Sequence, residues 1–149
     1  MKETVIYLSG AMEAYDGTDK AKEWRERVKE FFSIYCTNVR IISPVDFYSY
    51  DSNYHQSEFE VFRFDLRKTK EADVILVNLN DIRKSIGSVI ELYEAYKNGS
   101  TIIGFLDDEP NIQELIKQIH PWVYCMCDRI ETGNNSMERA MYYIKDYCL

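Results

Sequence analysis

The run Val74-Ile75-Leu76-Val77 places branched apolar side chains at consecutive positions, with no polar residue alternating between them. A strand of this kind is buried on both faces, which is the pattern of a central strand in a parallel sheet covered by helices on each side. Ser85-Ile86-Gly87-Ser88-Val89-Ile90-Glu91 follows it and opens an amphipathic run that ends near Lys97. A buried strand, a short polar loop, a glycine and then a carboxylate in the first helical turn is how an α/β protein brings a reactive acid to the mouth of its sheet. The chain is read as organised around Glu91.

The other segments fit that frame. Thr4 to Leu8 reads as a first strand ending in the tight turn Ser9-Gly10, followed by a polar loop from Ala11 to Thr18. Ala21, Trp24, Val28, Phe31, Phe32 and Tyr35 recur at helical spacing. Val39 to Ser43 reads as a second strand stopped by Pro44, and an aromatic loop follows with Phe47, Tyr48, Tyr50, Tyr54 and His55. Phe59, Phe62, Leu66 and Thr69 mark a helix between Gln56 and Glu71, and Asp73 to Leu79 is the third strand. Thr101 to Phe105 is expected as a fourth strand after the turn Asn98-Gly99-Ser100, and Asn111 to Gln118 as a short helix. Trp122 to Cys127 is expected as a fifth, edge strand, and Ser136 to Tyr147 as a closing helix. The alternation predicts an α/β fold, a doubly wound parallel sheet of about five strands in a single domain spanning 1–149.

Composition narrows the function classes. With 149 residues, 46% of them hydrophobic, the chain supports one core. Its apolar runs fall short of the roughly 18 residues a membrane span needs, and Met1-Lys2-Glu3-Thr4-Val5 lacks a signal peptide's long apolar segment. A cytoplasmic protein is expected. A net charge of −7 without a Lys/Arg cluster disfavours nucleic acid as a partner but leaves a small nucleotide open. Cys36, Cys125, Cys127 and Cys148 do not make a disulfide framework. Strand alternation would put Cys125 and Cys127 on one face, yet no second pair accompanies them, so no metal is expected.

Glu91 carries two readings. Ser88-x-x-Glu91 matches a capping box, in which the acid returns to the serine's backbone N–H. The same placement suits an ionised nucleophile at a cleft, and glutamine separates the two, since it satisfies a cap but cannot attack. Asp65 shares a helical side with Val61 and Phe62; it either faces the sheet or turns to solvent or to Arg63 or Lys68. Two acids converging on one cleft would supply the pair needed to cleave a bond at an anomeric carbon. Gly10 and Gly87 allow close backbone approach of a ligand, while Ser9, Ser85 and Ser88 offer hydroxyls and amides to an anion. Neither GxGxxG nor GxxxxGK[ST] occurs, which disfavours a conventional dinucleotide or ATP site. Tyr48, Tyr50, Tyr54 and Trp122 are candidate flat walls for a nucleobase, and His55 and His120 have no Ser or Cys partner for a triad.

Ile6-Tyr7-Leu8-Ser9-Gly10-Ala11-Met12, Asp65 ahead of Asp73-Val74, and Ser85-x-Gly87-Ser88-x-x-Glu91 followed by Tyr93, Ala95 and Tyr96 form an ordered set. Together they resemble the nucleoside 2-deoxyribosyltransferase family, which includes the 2′-deoxynucleoside 5′-monophosphate N-glycosidases. The resemblance runs from about Val5 to Phe105. It implies a flavodoxin-like fold, cleavage of the bond between deoxyribose and base, no metal or organic cofactor, and a homo-oligomer, a dimer or higher. It also implies roles: Glu91 as the nucleophile that holds the sugar covalently, Tyr7 orienting that carboxylate, and Asp65 contacting the base and assisting its protonation. A neighbouring subunit completes the site in some members, and Asn111, Trp122 and Tyr147-Cys148-Leu149 are candidates by location.

Two departures bear on the substrate. Transferases of the family usually carry an aspartate where this chain has Ser85, and serine there resembles the monophosphate hydrolases. The loop Gly10-Ala11-Met12-Glu13-Ala14-Tyr15 lacks those hydrolases' arginine, and Glu13 would be a poor neighbour for phosphate. Readings from other classes are attack on the ribosyl bond of a dinucleotide such as NAD, and a non-catalytic nucleotide sensor of the same fold. Leu8-Ser9-Gly10 lacks the clustered acids of a phosphoreceiver.

Overall fold

The computed structural model describes residues 2–12, 15, 18–47 and 56–149. Glu13, Tyr48, Tyr50, Tyr54 and His55, singled out from the sequence, lie outside the described residues. The strands are β1 (Thr4–Gly10), β2 (Val39–Ile42), β3 (Val74–Asn78), β4 (Thr101–Leu106) and β5 (Arg129–Thr132). They form one five-stranded sheet in the order β2-β1-β3-β4-β5, every pairing parallel. This is the order of flavodoxin-like folds, in which the chain reverses direction between β1 and β3 and opens a crevice at their carboxyl ends.

Helices α1 (Lys20–Tyr35) and α6 (Ser136–Tyr143) cover one face, and α2 (Glu58–Glu71), α3 (Ile86–Asn98), α4 (Ile112–Ile119) and α5 (Pro121–Met126) lie on the other. Strand alternation sorts β1 between the two layers. Ile6 and Leu8 pack with Trp24, Val28 and Phe32 of α1 and Met137 of α6, whereas Val5 and Tyr7 pack with Leu92 and Ala95 of α3. Every residue of β3 is buried, as its unbroken apolar pattern requires.

The expected fifth strand is misplaced. Trp122 to Cys127 falls mainly in helix α5, where Pro121 occupies the first turn and the His120 imidazole accepts the Trp122 amide at 3.0 Å. Val123 packs into the core, while Trp122 is 77% exposed. The fifth strand is Arg129–Thr132, whose half-exposed residues give it no apolar run to read. Cys125 and Cys127 therefore do not share a strand face: Cys125 is exposed and Cys127 half-buried. The closing helix is as expected up to Tyr143 and continues as a wider π-type turn over Ile144–Cys148. Among the described residues no helix is long and apolar enough to cross a membrane.

Two aspartates extend the ladder at the sheet's amino edge. Asp73 Oδ2 accepts the Val5 amide at 2.9 Å, and Asp128 Oδ2 accepts the Ile102 amide at 2.8 Å. Ile102 is fully buried, so its amide has no water to turn to. Asp128→Ala is expected to lower unfolding free energy by about 1–3 kcal/mol, the penalty for an unsatisfied buried donor, while Asp128→Asn keeps most of it. Urea denaturation of the two variants checks this.

Candidate active site

Ser85 begins α3. Its Oγ accepts from the Ser88 amide at 3.4 Å and lies 2.7 Å from Ser88 Oγ. The N-cap is thus Ser85, and the Ser88-to-Glu91 capping box does not form, because the Ser88 amide already has a partner. Glu91 falls in the second helical turn instead of the first. There it belongs to the buried stripe Ser88, Glu91, Leu92 and Ala95, whose helical spacing aims it at the sheet.

Both Glu91 oxygens are met by the same face of β1. The Tyr7 phenol donates to Oε2, and the Ser9 hydroxyl donates to Oε1 at 3.0 Å. Tyr7 and Ser9 are fully buried and Glu91 is 8% exposed. Burial pushes the Glu91 carboxyl up to about 7 from its ordinary 4.5; the Tyr7 hydrogen bond opposes the rise, the Asp65 charge adds to it, and Ser9 and the Arg25 charge oppose it. Burial, joined by the charges of Glu91 and Asp65, holds the Tyr7 phenol well above its usual range, so it remains a donor.

The carboxylate borders a cavity of about 370 Å³, the size of a small-ligand site. Gly10, Asp65, Ser85, Gly87 and Ser88 line it together with Glu91. Ser9, expected to meet a ligand, lies behind the carboxylate and spends its hydroxyl on Glu91. Asp65 on α2 is half-buried and on the cavity wall, so the sheet-facing reading of that helix side describes it better than the solvent-facing one. The rest of α2 departs from the expected pattern. Thr69 is its buried residue, while Phe59 and Phe62 are 72% and 54% exposed.

The glycines differ. A Cβ on Gly10 would meet Asn78 Cβ and Trp24 Cζ2 at 3.1 Å, a tight contact that those two side chains would have to relieve by a few tenths of an ångström. A Cβ on Gly87 would meet nothing within 4 Å, and its backbone is open to approach from the cavity.

Arg25, Pro44 and Lys84 also line the cavity and were not singled out from the sequence. The signal for Arg25 was present: it stands four residues after Ala21 and three before Val28, inside the apolar stripe of α1. The His120–Trp122 junction and Asn111, which caps α4, do not line this cavity.

No family model and no curated protein sequence matches the chain. Solved structures do. The chain is similar to a 2-desoxiribosyltransferase from Leishmania mexicana at 16% identity and TM-score 0.73, covering 98% of this chain and 99% of that one. It is similar to a CMP N-glycosidase from Clostridium botulinum at 18% identity and TM-score 0.60, covering 97% and 99%. A conserved protein from Enterococcus faecalis V583 matches at 14% identity and TM-score 0.73, covering 96% and 98%. Likeness at these identities establishes the fold.

The raised Glu91 value has a sign for stability. The folded state holds this proton more tightly than the unfolded chain, so stability present below pH 4.5 is lost as pH rises towards about 7. Glu91→Gln escapes that loss. Its melting temperature is expected to exceed wild type at pH 8, by an amount corresponding to on the order of 3 kcal/mol, with the gap closing towards pH 4.5. Thermal melts across that range check it.

Proposed function

We propose that the protein belongs with the nucleoside 2-deoxyribosyltransferases and cleaves the N-glycosidic bond of 2′-deoxynucleosides, transferring the sugar to another base. The observation that carries this reading is a desolvated carboxylate held by Tyr7 and Ser9 at a cavity shared with a second acid, Asp65. In the first step a Glu91 oxygen attacks C1′ and the bond from C1′ to the base nitrogen breaks, its electron pair leaving with the base. Asp65 contacts the base and delivers the proton it takes up. The product is a deoxyribosyl ester of Glu91. The nitrogen of a second base then attacks C1′ as its proton passes to Asp65, the C1′–O bond of the ester breaks with its electron pair returning to Glu91, and configuration is retained over the two displacements. Orientation of Glu91 by Tyr7 keeps one oxygen directed at its target. The reaction as written uses no metal or organic cofactor, and a cytoplasmic location goes with it.

Hydrolysis of 2′-deoxynucleoside 5′-monophosphates is the second reading, and the cavity wall favours it at one place. Ser85, Ser88 and the open backbone of Gly87 stand beside Lys84, a group of donors suited to an anion where a transferase would usually carry an acid. Water then replaces the second base.

Incubation with deoxynucleosides, their monophosphates and NAD, with and without an acceptor base, separates these outcomes. Base released only with an acceptor means transfer, and base released from monophosphates alone means hydrolysis. Glu91→Gln is expected to reduce turnover at least about 10³-fold while remaining folded, and mass spectrometry of denatured wild type should trap the sugar adduct. Ligand binding by both proteins without base release by wild type would favour a sensor.

A homo-oligomer is part of the same reading. Phe59 and Phe62 on α2 and Ile86 and Tyr93 on α3 are each more than half exposed, and Phe62 and Ile86 border the cavity. Exposed apolar surface of this kind marks association. Light scattering is expected to give at least twice the 17.7 kDa chain mass, and Phe62→Glu with Ile86→Glu to lower it.

A further inference from the structure

Arg25 is fully buried and tops the largest fully buried side chains of the described residues. Its Nη1 donates to the Ala21 carbonyl at 2.7 Å and its Nη2 to the Gly10 carbonyl at 3.2 Å. The guanidinium carbon lies 4.5 Å from the centre of the Trp24 ring, and Nε has no partner among the described residues. A neutral donor would serve those two carbonyls at far less desolvation cost, so helix packing alone does not account for a buried cation. The charge wants an anion, and Arg25 lines the same cavity as Glu91 and Asp65.

We propose that Arg25 is a positioning residue for Glu91: it pins the end of β1 and supplies the buried positive charge that favours the ionised form of the carboxylate. The first part follows from connectivity. Gly10, held by Nη2, directly follows Ser9, whose hydroxyl reaches Glu91. The second follows from a census of the groups around the carboxylate. β1 presents Tyr7 and Ser9, which are neutral. α2 presents Asp65 and Glu58, which are acidic. Lys84, ahead of α3, is largely exposed and lies 3.5 Å from Asp81. Arg25 on α1 is the buried cation of this set.

The electrostatics agree in direction. Burial lowers the Arg25 value to about 10, against the pull of Glu91 and other anions, so it remains charged at neutral pH. Its charge in turn draws the Glu91 value down, against burial and Asp65. Removing that charge therefore moves Glu91 further up.

The inference rests on Glu91 being the working carboxylate, but its test has a readout that needs no substrate. Carbon-13 NMR of glutamate-labelled protein, with the Glu91 signal assigned by its loss in Glu91→Gln, gives the titration midpoint in wild type, Arg25→Met and Arg25→Lys. Arg25→Met is expected to raise the midpoint by about one pH unit, the low end of what a nearby opposite charge does to a carboxyl. The acidic limb of the base-release profile should move with it. Arg25→Lys should leave the midpoint near wild type and lower turnover, because one ammonium cannot span both carbonyls. If Arg25→Met does not fold, as judged by circular dichroism, Arg25→Gln carries the same comparison without charge. An unmoved midpoint in a folded uncharged variant overturns the proposal. Absence of base release by wild type, with the midpoint shift intact, would instead overturn the glycosidic reading alone.

Discussion

Glu91 accepts a hydrogen bond on each oxygen from side chains two residues apart on one strand. That bridge joins α3 to β1 across the layer between helix and sheet, at the point where the parallel order changes direction. Its demands explain much of the surrounding sequence. Tyr7 must lie on the α3 face of β1, where a phenol can pack among aliphatic residues and still donate at its tip. Ser85 must begin the helix early enough that Glu91 comes round to the buried stripe one turn later. At Gly10 an added side chain would crowd Trp24 and Asn78, which close over the strand end.

An acid so placed is in tension with its surroundings. Desolvation favours the protonated form, whereas two hydroxyl donors and a buried guanidinium favour the ionised one. The balance leaves the carboxyl titrating near neutrality, where it is available as an anion yet poorly solvated. Under the glycosidic reading proposed above, poor solvation would suit a nucleophile, since less water must be shed before attack. A carboxyl shifted this far by burial beside a cleft is the electrostatic mark of a candidate functional site.

Much of this was legible in the sequence, and the reasons differ by element. β1, β3 and β4 declare themselves because central strands of a parallel sheet are apolar on both faces. β5 is hidden because an edge strand carries half-exposed Arg129 and Glu131, while Trp122 to Cys127 mimics a strand in composition yet follows a proline and a capping imidazole into a helix. Tyr7, Asp65 and Glu91 were named as a set, and the fold brings Asp65 and Glu91 to one cavity with Tyr7 bonded to the latter. The capping-box reading of Glu91 does not hold, since two serines three residues apart offer two caps and the helix is capped by Ser85. Arg25 is harder to read, because a single arginine in an apolar stripe is ordinarily a snorkelling side chain. The exposed phenylalanines of α2 show the converse limit, because helical periodicity reports an apolar face without saying what covers it.

The placement of Tyr7 and Ser9 at alternate positions of β1 makes the carboxylate bridge a parity check on the sheet. Tyr7 pairs with Ile42 and Ile75, and Ser9 with Val77. Sliding β1 by one residue would send both hydroxyls to the α1 side and offer Glu91 the side chains of Ile6 and Leu8. A misregistered chain would leave both Glu91 oxygens without these donors. Correct strand alignment and a doubly hydrogen-bonded Glu91 therefore arrive together, and the carboxylate bridge doubles as a readout of whether the central strand has been threaded in the right frame.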